Sequence, residues 1–206
     1  RLVMLLDKNA QETLSQTIGE QEKRTDAELV TVLAGQADDY RYVTLLWAAL
    51  LSLLVPVALL FLPVWLTPFE GLLLQWGVLL VLAVLFRLKP VQFRVVPRRL
   101  QRMRAAGLAR QAFLEQGLHR TRGGTGLLIF VSEAEHYVEI LADQGIARHV
   151  DDSEWQTIVD AFIARVKAGR VAEGFQECVA ACGDKLATHV PATEQKNELP
   201  NHLIML

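Results

Sequence analysis

The longest apolar run of the chain lies between residues 43 and 86, where Glu70 is the single charged residue. A helix needs about 20 apolar residues to cross a hydrocarbon core about 30 Å thick. The run is long enough for two crossings, and we place them at Val43 to Leu62 and Leu72 to Leu88. The residues between these spans, 63–71, include two prolines and the glutamate, which predict a turn at the membrane surface.

Ahead of this run, the pattern predicts one helix and one strand. Asn9 with Glu12 has the spacing of a capping box, and a thin apolar face continues the helix to Arg24. The segment 28–34 is short, apolar and rich in β-branched residues, which is typical of a strand. After the run, Leu100, Met103, Leu108 and Ala112 have the spacing of an amphipathic helix that ends near residue 117.

The last third of the chain predicts two strands and two helices. Residues 127–131 are apolar throughout, whereas 137–142 alternate, so we expect an antiparallel hairpin whose second strand has one less buried face. The Gly123–Gly124 run precedes a strand rather than a helix, so it predicts a turn and not a phosphate loop. Apolar residues at helical spacing follow over 152–168 and again to about His189.

The two apolar strands are expected to pair, because neither is polar enough to lie alone. Residues 29–33 and 127–131 have the composition of central strands covered on both faces. Residues 1–42 and 98–190 are then expected to form one α/β domain that the membrane hairpin interrupts.

The two cysteines indicate packing rather than metal or redox chemistry. Cys178 and Cys182 share helical spacing with Phe175, Val179 and Leu186, which is the pattern of a buried stripe. A free cysteine packs as a small apolar side chain. A disulfide is not expected in the cytosol, where thiols stay reduced.

Charge is distributed very unevenly along the chain. Residues 1–42 carry −3, residues 43–114 carry +7 and residues 115–206 carry −6. Basic residues beside a spanning helix favour anionic headgroups and the cytoplasmic side. We therefore predict a bacterial inner-membrane protein with both termini and the soluble domain in the cytoplasm. A nucleic-acid surface is not expected, because aromatic residues do not interleave with the basic ones. The membrane-surface residues are Arg87, Lys89, Arg94, Arg98, Arg99 and Arg102.

Several stretches together resemble a known family. They are residues 25–30 (TDAELV), 126–132 (GLLIFVS), Glu135, 138–143 (VEILAD), Gly145–Ile146, Trp155 and Gly174–Phe175. They are similar to the TPM domain, known from photosystem II repair proteins of thylakoids and from many bacterial membrane proteins. The resemblance implies a three-layer α/β sandwich around a mixed sheet, here interrupted by a two-helix transmembrane hairpin.

With that resemblance, the chain divides into five segments. Residues 1–42 are the first part of a TPM-like domain, and 43–88 are the transmembrane hairpin. Residues 89–118 are a basic membrane-surface linker and helix, 119–190 are the second part of the domain, and 191–206 are a tail.

The resemblance also implies acidic residues near strand ends, which bind calcium in some members. The corresponding residues here are Asp38, Asp39, Glu133, Glu135 and Asp143. Ligands of open α/β sheets bind beyond the carboxyl ends of strands, and calcium prefers several converging oxygens. The alternative is that these carboxylates are solvated or pair with the basic segment.

Two functional classes follow. The first is a non-catalytic docking or accessory module for the assembly, repair or quality control of membrane proteins, a role that the family resemblance implies, together with LemA-type proteins as one expected partner. The second is a phosphatase-like hydrolase, since the family resemblance implies that activity for some members, with clustered carboxylates acting with or without a metal. The first is favoured, because the sequence offers carboxylates without an evident neighbouring base.

Overall fold

The computed structural model describes residues 8–63, 65–121, 123–193 and 203–205. Within these residues, the strands are β1 (Glu28–Ala34), β2 (Gly126–Ser132), β3 (Tyr137–Ala142) and β4 (Leu203–Met205). The helices are α1 (Lys8–Glu22), α2 (Arg41–Ser52), α3 (Leu54–Phe61), α4 (Pro68–Leu85), α5 (Lys89–Val95), α6 (Arg98–Glu115), α7 (Gln144–Ala147), α8 (Asp152–Lys167) and α9 (Val171–His189). The chain forms two compact units, an α/β unit of residues 1–37 and 102–206 and a helical insertion of residues 38–101.

The α/β unit is built on a mixed sheet with the strand order β3-β2-β1-β4. The predicted pairing of the two apolar strands is confirmed, since β1 and β2 are parallel, in a register that pairs Leu29 with Leu127. β2 and β3 form the predicted antiparallel hairpin. Every residue of β1 and β2 is buried, as expected for central strands with both faces covered.

Helices cover both faces of this sheet, which makes the predicted three-layer sandwich. On one face, Leu29, Leu127 and Ile129 pack against α1, α8 and α9. On the other face, Val32 and Phe130 pack against α6. Residues alternate between these faces along each strand, because successive side chains of a strand point in opposite directions.

Helix α9 carries the cysteine stripe that the sequence predicts. Cys178, Val179 and Cys182 are all buried against the first face of the sheet, and both cysteines are free. On the neighbouring α8, Phe162 lies edge-on against Phe175, with 4.7 Å between ring centroids.

Three details of the α/β unit differ from prediction. All six residues of β3 are half-buried, so neither face is the more exposed one, because β3 lies at the sheet edge with packing on both sides. Met103 is 67% exposed, and small residues of α6 (Ala105, Ala109 and Ala112) form its buried stripe instead. The predicted tail contains β4, which pairs with β1 in parallel.

The helical insertion contains two helices that are long and apolar enough to cross a membrane. They are Arg41–Phe61, formed by α2 and α3, with a mean hydropathy of 2.5, and Pro68–Leu85, with a mean hydropathy of 1.9. Only 22% of the first apolar stretch and 0% of the second is buried. Large side chains such as Leu60, Phe61 and Val84 are therefore exposed along both helices.

The turn between these helices is shorter than the predicted 63–71. Thr67 is the N-cap of α4, its hydroxyl accepts a hydrogen bond from the Glu70 backbone, and the Glu70 carboxylate accepts one from the Thr67 backbone N–H at 2.8 Å. This is a capping box with a proline at the first helical position, where proline needs no N–H partner. Pro68 and Glu70 therefore begin the second helix rather than form the turn.

At its other end, the insertion has a small core of its own. Tyr40 is buried and precedes α2 with a positive φ of 49°. Its ring lies edge-on to that of Phe93, with 5.9 Å between centroids, beside Val43 and Val96. The side-chain amide of Gln101 donates hydrogen bonds to the Phe93 and Val96 carbonyls, which fixes the bend between α5 and α6.

Candidate functional site

Two of the five predicted acidic ligands follow β2 directly. Glu135 is buried, and each of its carboxylate oxygens lies 3.1 Å from the backbone N–H of Ala37, which donates to it. The Ser132 hydroxyl also donates to this carboxylate. The backbone N–H of Glu133 donates to the Ala34 carbonyl at 2.9 Å. Glu135 thus joins the β2–β3 turn to the residues after β1.

Asp143 lies at the other end of the hairpin. Because β3 is antiparallel to β2, Ala142 pairs with Leu127 while Tyr137 pairs with Ser132. Five residues of strand separate these pairs, which is roughly 17 Å. Asp143 is the N-cap of α7, and its carboxylate accepts a hydrogen bond from the Gln144 backbone at 2.7 Å. The structure therefore does not bring Asp143 together with Glu135.

The other two acidic residues lie in the helical insertion and make local contacts. The Asp38 carboxylate accepts a hydrogen bond from the backbone N–H of Tyr40 at 3.3 Å. Asp39 and Arg41 form an ion pair at 3.1 Å, and both side chains are 68% exposed. Across the described residues, no group of three or more His, Cys, Asp and Glu side chains is placed to hold a metal ion. Calcium binding by these carboxylates stays a prediction.

The six predicted membrane-surface residues are all exposed. Arg87 follows α4, Lys89 begins α5, and Arg94 lies in its last turn. Arg98 and Arg99 begin α6, with Arg102 one turn further along. None of the six forms an ion pair with the part of the chain that the structure describes. They therefore leave a run of uncompensated positive charge directly after the second apolar helix, which is the arrangement that binds anionic headgroups.

A polar cavity of about 470 Å³ lies beside Asp143, and the sequence did not predict it. His119, Asp143 and Arg148 line it together with the Gly123–Gly124 turn. Both glycines have positive φ, as the predicted turn requires. The turn passes so close to Gly145 that a Cβ there would lie 2.1 Å from the Gly123 carbonyl oxygen. The sequence feature that corresponds to this cavity is the glycine run. The residue that the run contacts, Gly145, follows β3 in the sequence.

A second cavity, of about 380 Å³, lies between β3 and α8. Its walls are mostly apolar and include Val138, Phe162, Ile163 and Val166, with His136 and Lys167 among the polar residues that line it. The sequence pattern predicts that the apolar stripe of α8 lies entirely in the core, so it does not indicate a gap beside this helix.

Burial perturbs two titratable groups on α1 and α9. Burial raises the pKa of Glu22 to about 7, although the backbone N–H of Leu29 donates to this carboxylate and lowers the pKa. The pKa of the Cys182 thiol is well above its usual value, because of its hydrogen bond with Cys178 and its burial. A protonated buried thiol is a poor nucleophile and metal ligand, which agrees with the packing role predicted for both cysteines.

Comparisons with known proteins identify the family to which this chain is similar. The family model of the TPM domain matches residues 81–185, which is 105 of the 206 residues. Among solved structures, the NMR structure of the BA42 protein from the psychrophilic bacterium Bizionia argentinensis is similar, with a TM-score of 0.60 and 16% sequence identity over 97% of this chain and 94% of that one. At that identity the similarity concerns the fold. No curated protein matches the chain. With a match over half its length and the expected sandwich around a mixed sheet, the chain belongs to the TPM domain family.

Proposed function

We propose that this is an integral membrane TPM-domain protein that acts as a non-catalytic docking or accessory module in the assembly, repair or quality control of membrane proteins. The observation that carries the proposal is an exposed apolar helix pair inserted into the sequence of an α/β domain. A core helix of a soluble protein would be mostly buried, and these two are not. Such an insertion would hold the α/β unit at the bilayer, where its partners are.

The basic run supports binding to a membrane with anionic lipids. Each exposed Lys or Arg near such a surface contributes about 1 kcal/mol, so six of them would hold α5 and the start of α6 at the headgroups. In this proposal both termini and the α/β unit lie in the cytoplasm of a bacterium, because an excess of Lys and Arg favours that side of the membrane.

Copurification from native membranes tests the docking role. The full chain carries an affinity tag, is extracted with a mild detergent, and its partners are identified by mass spectrometry. We expect membrane proteins at defined stoichiometry, and LemA-type proteins are the first candidates. The matched control is the same tag on the helical insertion alone, residues 38–101. Recovery of the same proteins by that control, or of none by the full chain, would contradict docking by the α/β unit.

Calcium is the ion we propose for the acidic residues, with the two ends of the β2–β3 hairpin tested separately. A ligand at about 100 times its Kd stabilises a protein by about 2.7 kcal/mol. We expect millimolar calcium to raise the Tm, and either Glu135→Gln or Asp143→Asn, but not both, to abolish the shift. An unchanged Tm in the parent protein would show that neither end binds calcium.

A phosphatase-like hydrolase is the second candidate, and the polar cavity favours it. His119 and Arg148 line the same cavity as Asp143, which supplies the base and the cation that the sequence alone did not show. Hydrolysis of p-nitrophenyl phosphate by the purified protein, with and without divalent metal, tests this function. Activity that His119→Ala and Asp143→Asn abolish would favour it, while an inactive parent protein would exclude this substrate.

A further inference from the structure

Strand β3 offers an open backbone edge. It is the first strand in the order β3-β2-β1-β4, and no described strand pairs with its outer side. All six of its residues are half-buried, with Val138 and Ile140 packed toward α8 and α9 and Leu141 packed toward α6. An edge of this kind can add a further strand from another chain.

A cavity lies beside β3 on each face of the sheet. The cavity of about 380 Å³ on one face lies between Val138 and the α8 residues Ile163 and Val166. A cavity of about 240 Å³ on the other face lies between Leu141 and the α6 residues Phe113 and Leu114. An added strand points alternate side chains to opposite faces of the sheet, so it has room for side chains on both.

The basic residues at the cavity between β3 and α8 indicate the kind of occupant. Lys167 and His136 line the first cavity, and neither has an ion-pair partner among the described residues. Both lie near Tyr137 and Val138, the first residues of β3. The C-terminal end of an incoming strand that runs antiparallel to β3 meets these two residues, so its terminal carboxylate can pair with Lys167. A second copy of this chain fits less well, because the face of β3 toward α8 presents only Val138, Ile140 and Ala142, with no carboxylate for Lys167.

We propose that β3 and α8 form a docking groove for the extended C-terminal segment of a partner protein. The segment adds to the sheet antiparallel to β3, places an apolar side chain between Val138 and Ile163, and directs its terminal carboxylate to Lys167. This inference rests on the docking role proposed above and names the surface and the chemistry of the partner. Among the residues that the structure describes, none fills the groove, so an added peptide meets a preformed site.

Fluorescence anisotropy of a labelled peptide tests the groove, with the full chain purified in detergent. The probe is a six-residue peptide that alternates valine and threonine and has a free C-terminal carboxylate. We expect saturable binding that weakens about three- to fivefold when the carboxylate is amidated, because the ion pair with the exposed Lys167 is lost. N-methylation at alternate residues distinguishes strand addition from simple apolar contact. Methyl groups on the edge facing β3 should abolish binding, and methyl groups on the outer edge should not.

Two variants with matched controls locate the peptide. Ile163→Trp fills the cavity and should weaken binding at least about tenfold, whereas Ala164→Trp, at the exposed neighbouring position of α8, should not. Lys167→Glu should remove the preference for the free carboxylate, whereas Lys23→Glu, at an exposed lysine after α1, should keep it. Unchanged circular dichroism establishes that each variant is folded, and the N-methylated peptides test the proposal without any variant.

Three results would overturn the proposal. The first is no binding of the free-carboxylate peptide, or equal binding of the amidated one. The second is binding that persists when the inner edge of the peptide is methylated. The third is self-association of the chain through β3, seen as a concentration-dependent mass, which would make a second copy the occupant. Partners that still copurify with the Ile163→Trp and Lys167→Glu double variant would place docking elsewhere and leave the proposed accessory function standing.

Discussion

The carboxylate of Glu22, at the end of α1, accepts a hydrogen bond from the backbone N–H of Leu29 in β1 at 3.0 Å. Its second oxygen is buried and has no hydrogen-bond partner within the described structure. Burial therefore raises the pKa of Glu22 to about 7, and the negative charge of nearby Glu28 raises it further against the effect of the Leu29 hydrogen bond.

This pKa predicts that stability falls as pH rises through the range from about 4.5 to about 7. In that range the folded protein keeps a proton on Glu22 that the unfolded chain has lost, so deprotonation of the folded state becomes a cost as pH rises. Glu22→Gln stays neutral at every pH and should stabilise the protein at pH 8 by on the order of 2 kcal/mol, with little effect at pH 4.5. Thermal melts across this pH range measure the difference. Glu20→Gln, at an exposed position of the same helix, is the control, and equal pH profiles for both variants would contradict the prediction.

Gly145 and Gly107 should respond to alanine in opposite directions. A Cβ at residue 145 would lie 2.1 Å from the Gly123 carbonyl oxygen and 2.6 Å from that of Gly124, so the backbone of the turn must move. We expect Gly145→Ala to destabilise the protein by at least about 2 kcal/mol.

A Cβ at residue 107, in the exposed face of α6, meets nothing within 4 Å. Gly107→Ala should stabilise by about 0.5 to 1 kcal/mol, because alanine loses less backbone entropy in a helix. Chemical denaturation measures both, and a loss of stability in both variants would refute the local explanation.

Phe162 tests how α8 packs against α9. Its ring lies 4.7 Å from that of Phe175, and it is almost completely buried. Phe162→Ala removes this contact and leaves a cavity, which costs about 3 to 5 kcal/mol. Gln156→Ala, on the exposed face of the same helix, should change stability by less than about 0.5 kcal/mol. Similar melting temperatures for the two variants would mean that α8 is not part of the core.

The sequence was most informative where composition alone determines burial. The apolar segments of β1 and β2 can be stable only with both faces covered, so their pairing and central position followed directly. Likewise, the spacing of Cys178, Val179 and Cys182 puts all three on one face of a helix, and that face must be buried. In both cases the burial of each segment depends on its own apolar pattern, which a single sequence contains.

Features that depend on contacts between distant segments, or on residues that suit more than one local structure, were harder to predict. β4 has three residues and gains its partner from β1, which lies over 160 residues earlier. Pro68 and Glu70 are typical of turns, but both are also favoured in the first turn of a helix. In the structure they begin α4, because Thr67 and Glu70 form a capping box. For the acidic residues, position after a strand was not sufficient. The antiparallel direction of β3 places Asp143 at the opposite end of the sheet from Glu135.

The orientation of the apolar helices can be tested with single cysteines, because the native Cys178 and Cys182 are buried and should react slowly. Trp65, between the two apolar helices, is 99% exposed, and Gln156 is an exposed residue of α8. Eight basic residues and no acidic ones lie between Arg87 and Leu114, and this bias favours a cytoplasmic location for that segment. With a membrane-impermeant maleimide, we expect Trp65→Cys to be labelled in spheroplasts and Gln156→Cys to be labelled only after lysis.

The parent protein controls for labelling of the native cysteines. Labelling of Gln156→Cys in intact spheroplasts, with Trp65→Cys protected until lysis, would reverse the topology. It would show that the basic segment does not determine which side of the membrane the α/β unit occupies.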